Sequence, residues 1–315
     1  MGLIGRSIGA LHWQFSRRAR AHLPVILMYH RVADVSCDPW RLCVSPVNFE
    51  AQIAALMRRR QVVPLEQLLT EQSDRPLAAV TFDDGYRDVV TNALPILQRH
   101  NCPATLFLAT DWIGSTREFW WDELARLVLE TPPDKAVTVA RPSSGQMWQL
   151  LPGDRASTRG KLLQEIWDAL LPLPHGERQD WIAALAAQCG GSLIMRDTHR
   201  IVDVADIAHI KGSVLSIGAH TRTHLSLPLF APAEQSGEIT GSRDACAALT
   251  GEPPPCFAYP FGHHDADVAK RAREAGFSAA VTTTRGMVRY GRDPMRLPRL
   301  GVENWSGRAF ARKLP

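Results

Sequence analysis

No stretch of this 315-residue sequence stays apolar for the roughly 18 residues that a bilayer-spanning helix needs. Charge of one sign is equally scarce. The formal net charge is +4, and no basic stripe interleaved with aromatics runs along the chain, which argues against a nucleic-acid partner. The short basic run Arg58-Arg59-Arg60 falls at the end of an expected helix, where cations favour the dipole. Cys37, Cys43, Cys102, Cys189, Cys246 and Cys256 are scattered without a Cys-x-x-Cys pair. A small disulfide framework and a zinc knuckle are thereby excluded, and reduced, mostly buried thiols are expected. A glycine loop of the kind that cradles phosphate is missing, as are internal repeats and low-complexity tracts. At the N-terminus the apolar stretches are short and broken by Arg6, His12 and Gln14, so no secretory signal is recognised and a cytoplasmic location is expected.

What the chain does have is alternation. Residues 24–29 read as a buried strand, and 47–60 as a helix with Phe49, Ile53, Leu56 and Met57 at helical spacing. Further strands are expected at 62–64, 79–82, 104–109, 214–217 and 279–283, with helices at 65–69, 86–100 (bent near Pro95), 203–212 and 270–276. Strands alternating with helices imply a parallel sheet, hence an α/β fold closed into a distorted (β/α) barrel. Between about 115 and 202 that rhythm gives way to helices at 120–130, 161–171 and 177–188, a helical insertion growing from a barrel loop. Phe119, Trp120 and Trp121 read most simply as its core, with a sugar-stacking platform as the alternative. A single domain, 24–314, is expected behind a basic leader, 1–23. In that leader Ile4, Ile8, Leu11 and Phe15 recur at helical spacing, with Arg6, Arg17 and Arg20 towards the other side. Such a helix could rest on an anionic membrane surface, although packing against the barrel is the simpler account.

Two motifs carry chemistry. Thr81-Phe82-Asp83-Asp84-Gly85 places two carboxylates at the end of an expected strand, with Gly85 permitting a tight exit. His220-Thr221-Arg222-Thr223-His224 places two imidazoles one helical turn apart, directly after another strand. One Asp and two His make a facial triad for a single metal ion, leaving positions open for water and substrate. The second Asp is then free to act as a base. Adjacent ionised carboxylates repel, so a cation makes the pair chemically sensible. Either motif alone reads as a turn or a surface helix pair; their coincidence at strand ends favours a site.

At these residues the chain resembles the polysaccharide deacetylases of carbohydrate esterase family four, the nodulation-deacetylase homology domain. Thr81–Gly85 is similar to that family's first motif and His220–His224 to its second. Phe257-Ala258-Tyr259-Pro260-Phe261-Gly262 resembles the third, and Ile26–Val32 resembles the opening strand of the branch with biofilm poly-N-acetylglucosamine deacetylases. The likeness spans roughly residues 24 to 302. It implies an N-acetylated glycan as substrate and one divalent ion, zinc foremost, on Asp84, His220 and His224, with Asp83 as base. It also implies an oxyanion site at the backbone N–H of Phe261, and a groove wall that includes Tyr259; Trp112 is a further wall candidate.

Two departures stand out. Ala258 occupies the place of the family's usual Arg that orients the base, and Leu297-Pro298-Arg299 stands where a Leu-x-His would supply an acid. Arg299, by position and charge, is the candidate for steadying Asp83, and His30, which ends the first strand, is the candidate acid. The competing readings are a catalytically impaired sugar-binding module and a metal hydrolase of another ester or amide. His12, His22, His100, His175, His199 and His209 read as surface or capping residues, whereas His263 and His264 are possible groove residues.

Overall fold

The computed structural model describes residues 22–315 apart from 72, 133 and 143, so the proposed leader helix lies outside the described residues. Among the described residues no helix is long and apolar enough to cross a membrane. In chain order the strands are β1 (Val25–Tyr29), β2 (Arg31–Val32), β3 (Cys43–Val44), β4 (Gln61–Val62), β5 (Leu77–Phe82), β6 (Ala104–Leu108), β7 (Val137–Ala140), β8 (Met147–Leu150), β9 (Leu215–Ala219), β10 (Cys256–Ala258), β11 (Ala279–Arg285) and β12 (Leu297–Gly301). The order β1-β12-β11-β10-β9-β6-β5 returns to β1 through a five-residue register, Val25 opposite Ala78 to Tyr29 opposite Phe82. Seven parallel strands therefore close the barrel, and β4 pairs on the outside of β5. All six residues of β5 and all five of β6 are buried, as expected for strands covered on both faces.

The helices are α1 (Pro46–Arg59), α2 (Leu94–Arg99), α3 (Trp120–Leu129), α4 (Ala156–Leu170), α5 (His175–Cys189), α6 (Val204–Ile210), α7 (Pro232–Thr250), α8 (Ala266–Glu274) and α9 (Gly307–Lys313). Helix α1 starts on a Ser45 cap that accepts from the Asn48 N–H, with Pro46 at its first position, and buries Phe49, Ile53 and Leu56. Before α2 the chain makes a π turn over Val89–Ala93, so the bend expected near Pro95 is a widened turn just upstream of it. Helix α6 carries a reciprocal capping box between Asp203 and Asp206.

Helices α3, α4 and α5 stand together with an antiparallel β7–β8 hairpin that the sequence reading did not anticipate. Their shared core includes Leu127, Val128, Trp148, Ile166 and Leu185. His199, expected at the surface, is buried, and burial together with the nearby Arg31 charge lowers its pKa to about 3. The described cysteines are all free thiols, and five of the six are buried.

Candidate active site

The C-terminal ends of β1, β5, β9 and β10 meet at one mouth of the barrel, where such folds place their chemistry. A pocket of about 140 Å³ opens there, lined by His30, Asp83, Asp84, His220, His224, Phe261, Thr283, Leu42, Trp40, Trp121 and Trp167. Backbone strain gathers at the same place. Six described non-glycine residues have positive φ, and four of them belong to this mouth: Asp84 (74°), Thr221 (63°), His224 (61°) and Phe261 (57°). Each costs of order 1–3 kcal/mol and persists only where the surroundings enforce it.

Strand β5 is extended by the Asp83 N–H, which donates to the Tyr29 carbonyl at 3.0 Å. The chain then turns at Asp84 into Gly85, whose φ of 105° suits glycine and where a Cβ would meet the Leu108 side chain at 3.0 Å. The turn sends the two carboxylates in different directions. Asp83 meets the guanidinium of Arg299 in a fork: Nη1 to Oδ1 at 2.7 Å and Nη2 to Oδ2 at 2.6 Å. Arg299 is itself fully buried and is fixed by donating to the Thr282 carbonyl at 2.9 Å and to Thr81 Oγ1 at 3.1 Å. Burial alone would raise the Asp83 pKa, but the Arg299 charge and hydrogen bonds prevail and hold it below the usual carboxylate value.

Asp84 faces the imidazoles. Its Oδ1 lies 3.5 Å from His220 Nε2 and 3.2 Å from His224 Nε2, and all three residues are buried. Burial is again outweighed, here by the two histidine hydrogen bonds, so Asp84 is held well below its ordinary pKa. Burial pushes His224 down to about 4, against the pull of Asp84, so its ring is neutral at pH 7. His220 Nδ1 pairs with the Ala258 carbonyl at 2.7 Å, which aims its Nε2 inward. The histidine segment is not a helical turn, contrary to the i, i+4 expectation. The left-handed residues Thr221 and His224 coil it, while Thr110 N–H donates to the Thr221 carbonyl and pins it to the loop after β6.

These three donors fit a metal ion. Ligand atoms about 2.0–2.1 Å from a tetrahedral ion lie about 3.3 Å from one another, close to the two Asp84–imidazole separations, and all three donor atoms lie within 4.8 Å of one another. One anionic oxygen and two imidazole nitrogens also form a donor set that zinc accepts.

His30 and Phe261 line the pocket, whereas Tyr259 and Trp112 do not. The Tyr259 ring is wholly buried, its hydroxyl donates to the Met295 carbonyl at 2.9 Å, and its N–H is taken by the Val281 carbonyl at 3.2 Å. Trp112 is buried under the insertion against Phe119 and His175, with its indole N–H 3.4 Å from the Thr223 carbonyl, so it backs the histidine loop. His263 and His264 are also absent from the lining; the former meets Ser226 Oγ at 2.8 Å and the latter stacks on Tyr259. Sequence reasoning missed Trp40, Leu42, Trp167 and Thr283. Trp121, expected in the core, is buried but turns its ring against His224 at 4.6 Å. Gly262 is a further requirement of the third motif, since a Cβ there would lie 2.0 Å from Thr283 Oγ1.

Comparison with known proteins agrees with this geometry. Residues 70–131 and 198–280 match the polysaccharide deacetylase family, and the chain carries a domain of that family. The unmatched stretch between the two segments holds β7, β8, α4 and α5. A Bacillus subtilis protein named as a polysaccharide deacetylase, YxkH, is 22% identical over 92% of this chain and 75% of its own. Among solved structures, a polysaccharide deacetylase of Bacillus cereus superposes with a TM-score of 0.60 at 19% identity, over 93% of this chain and 69% of that one. IcaB of Ammonifex degensii also gives 0.60, at 18% identity over 92% and 96%. These likenesses establish the deacetylase-type barrel.

Proposed function

We propose that this polysaccharide deacetylase domain is a metal-dependent hydrolase that releases acetate from an N-acetylated sugar. The observation that carries the reading is the division of labour between adjacent carboxylates, Asp83 forked by Arg299 and Asp84 facing His220 and His224. Asp84, His220 and His224 would hold one divalent ion, with zinc the first candidate. When bound, such an ion polarises an amide carbonyl and lowers the pKa of water from about 16 towards 7. Asp83, kept ionised by Arg299, accepts the proton of the attacking water. Arg299 fixes the direction of that carboxylate, and both of its oxygens keep lone pairs outside the guanidinium fork. His30, across the pocket at the end of β1, gives a proton to the departing amine as the C–N bond breaks. The products are acetate and a free amino sugar. Aromatic walls around the pocket suit the C–H faces of a sugar ring and exclude water.

The alternative of an impaired binding module drew on the missing motif arginine and on the missing Leu-x-His. The Asp83–Arg299 fork supports the enzyme instead, because a guanidinium reaches the base from β12 although Ala258 stands at the motif position. The test is acetate release from N-acetylglucosamine oligomers by zinc-loaded protein. Acetate lost on chelation and restored by zinc is expected; release that ignores chelation, or no release from any N-acetylated sugar, refutes the reading.

A further inference from the structure

The loop that joins the two imidazoles is held from behind, by a helix that takes no part in the pocket. His220 belongs to the sheet: its N–H donates to the Leu108 carbonyl at 2.9 Å and its Nδ1 pairs with the Ala258 carbonyl at 2.7 Å. His224 lies beyond the left-handed Thr221, at the far end of the loop. Helix α7 catches that loop with one buried carboxylate. Glu238 Oε2 accepts from the N–H groups of both Arg222 and Thr223, at 2.8 and 2.9 Å, and Oε1 accepts from the Thr223 hydroxyl at 2.8 Å. Two successive N–H groups converge on one oxygen only where the backbone curls, so this grip selects the curled loop. The loop's carbonyls are held from the other side, where the Thr110 and Asp111 N–H groups donate to Thr221 and Arg222 at 3.1 and 2.9 Å. Gly241, one turn after Glu238 on the same face of α7, leaves room for the Arg222 side chain, since a Cβ there would lie 2.6 Å from Arg222 Cδ.

The residues so gripped run directly into His224, whose Nε2 stands 3.2 Å from Asp84 Oδ1. Glu238 is absent from the pocket lining and offers no ligand atom to the Asp84–His220–His224 group. We infer that Glu238 is a positioning residue of the metal site. By fixing the two residues before His224 it holds the second imidazole against Asp84 and His220, and so sets the affinity of the three donors for a divalent ion. The geometry uses the reach of this side chain, not its charge. Gln in its place can form the same three bonds: its amide oxygen takes both N–H groups, and its amide N–H donates to a Thr223 hydroxyl that turns acceptor. Asp keeps the charge but is one methylene short. The inference rests on the metal-site reading of Asp84, His220 and His224, and not on the identity of the substrate.

The test measures zinc affinity of the full chain by competition with a chelating dye, at a temperature where melting curves show each variant folded. Losing a partner that orients a ligand from outside the coordination shell typically costs about 10- to 100-fold in metal affinity. Glu238→Ala and Glu238→Asp should weaken by that factor, and Glu238→Gln should stay within about threefold of the native protein. In cobalt-loaded protein the visible absorption bands, which report ligand geometry, should shift in the Ala and Asp variants and match the native bands in the Gln variant. If Glu238→Ala does not fold, the comparison of Asp with Gln decides alone. A role confined to stability lowers the melting temperature without changing affinity or spectrum, and that result overturns the inference. So does weakened binding in Glu238→Gln, which would make charge the agent rather than reach. Native protein that binds zinc no more tightly than the three variants sinks the inference and leaves the proposed function standing, while native protein that binds neither ion sinks both.

Discussion

Removing the guanidinium of Arg299 should cost stability and turnover together, and the two losses should be separable. Arg299 is fully buried and Asp83 nearly so, and their two hydrogen bonds are 2.7 and 2.6 Å. Arg299→Ala leaves a desolvated carboxylate without its partner, a defect that typically costs about 3–5 kcal/mol. For a domain of this size, at about 2 °C per kcal/mol, melting should fall by roughly 6–10 °C. Asp83 relieves the strain by taking up a proton, since burial already pushes in that direction. A protonated Asp83 is no base, so turnover should drop about 100- to 10,000-fold. The informative comparison is Asp83→Leu/Arg299→Met, in which both charges are gone and both side chains are apolar. Its melting temperature should recover most of the loss, because an apolar replacement of a buried pair is often neutral, while its activity stays absent. Thermal denaturation and acetate release on three proteins decide the matter. A single variant that melts within about 2 °C of the native protein, or a double variant less stable than the single, would refute the reasoning.

Further outcomes follow from the same geometry. Asp83→Asn should lower turnover about 100- to 10,000-fold while keeping its zinc, whereas Asp84→Asn, His220→Ala and His224→Ala should lose zinc and activity together, as measured by elemental analysis beside kinetics; the reverse pattern would exchange the roles of the two carboxylates. His30→Gln should keep zinc and lose turnover by a similar factor, and full activity in that variant would remove it as the acid. Asp122 supplies a pH test, because burial raises its pKa to about 7 and outweighs Arg31 and the Tyr86 hydroxyl, which donates to it at 2.6 Å. The folded protein thus retains a proton that the unfolded chain loses near pH 4, so stability falls as pH rises from about 4 to 7 and stays lower above that. Asp122→Asn should flatten this slope in urea unfolding at pH 5 and 8, and an unchanged slope would assign the loss to other groups.

Five of the seven barrel strands were legible as short apolar runs followed by residues of distinct chemistry; β10, only three residues long, and β12, which holds Pro298 and Arg299, were not. Ala79–Phe82 with the two carboxylates, and Leu215–Ala219 with the histidines, are the clearest cases. Helix α7 was not legible: the residues it buries mix Gln235, Glu238 and Ser242 with Ile239 and Cys246, so its inward face carries no continuous apolar stripe. Glu238 spends that burial on the histidine loop, accepting from the N–H groups of Arg222 and Thr223 at 2.8 and 2.9 Å. The β7–β8 hairpin does alternate buried and exposed residues, but over only four positions per strand. Spacing between His220 and His224 suggested a helical turn because left-handed backbone at a non-glycine residue leaves no mark in sequence. Trp40 and Trp167 escaped notice for another reason: they meet across 127 positions, and nothing local distinguishes them from core tryptophans.

Arg299 on β12 has a consequence for how the molecule comes into being. Its contact with Asp83 spans 216 positions, and β12 is the strand that joins β11 to β1 and shuts the barrel. Chains emerge from synthesis N-terminus first, at about 5–20 residues per second. Asp83, Asp84, His220 and His224 are thus all in existence well before the arginine that orients the base. The fork that orients Asp83 is completed with the final strand, in the same event that completes the hydrogen-bonded circuit. Under the proposed mechanism, ring closure completes the catalytic site in the same step that completes the barrel.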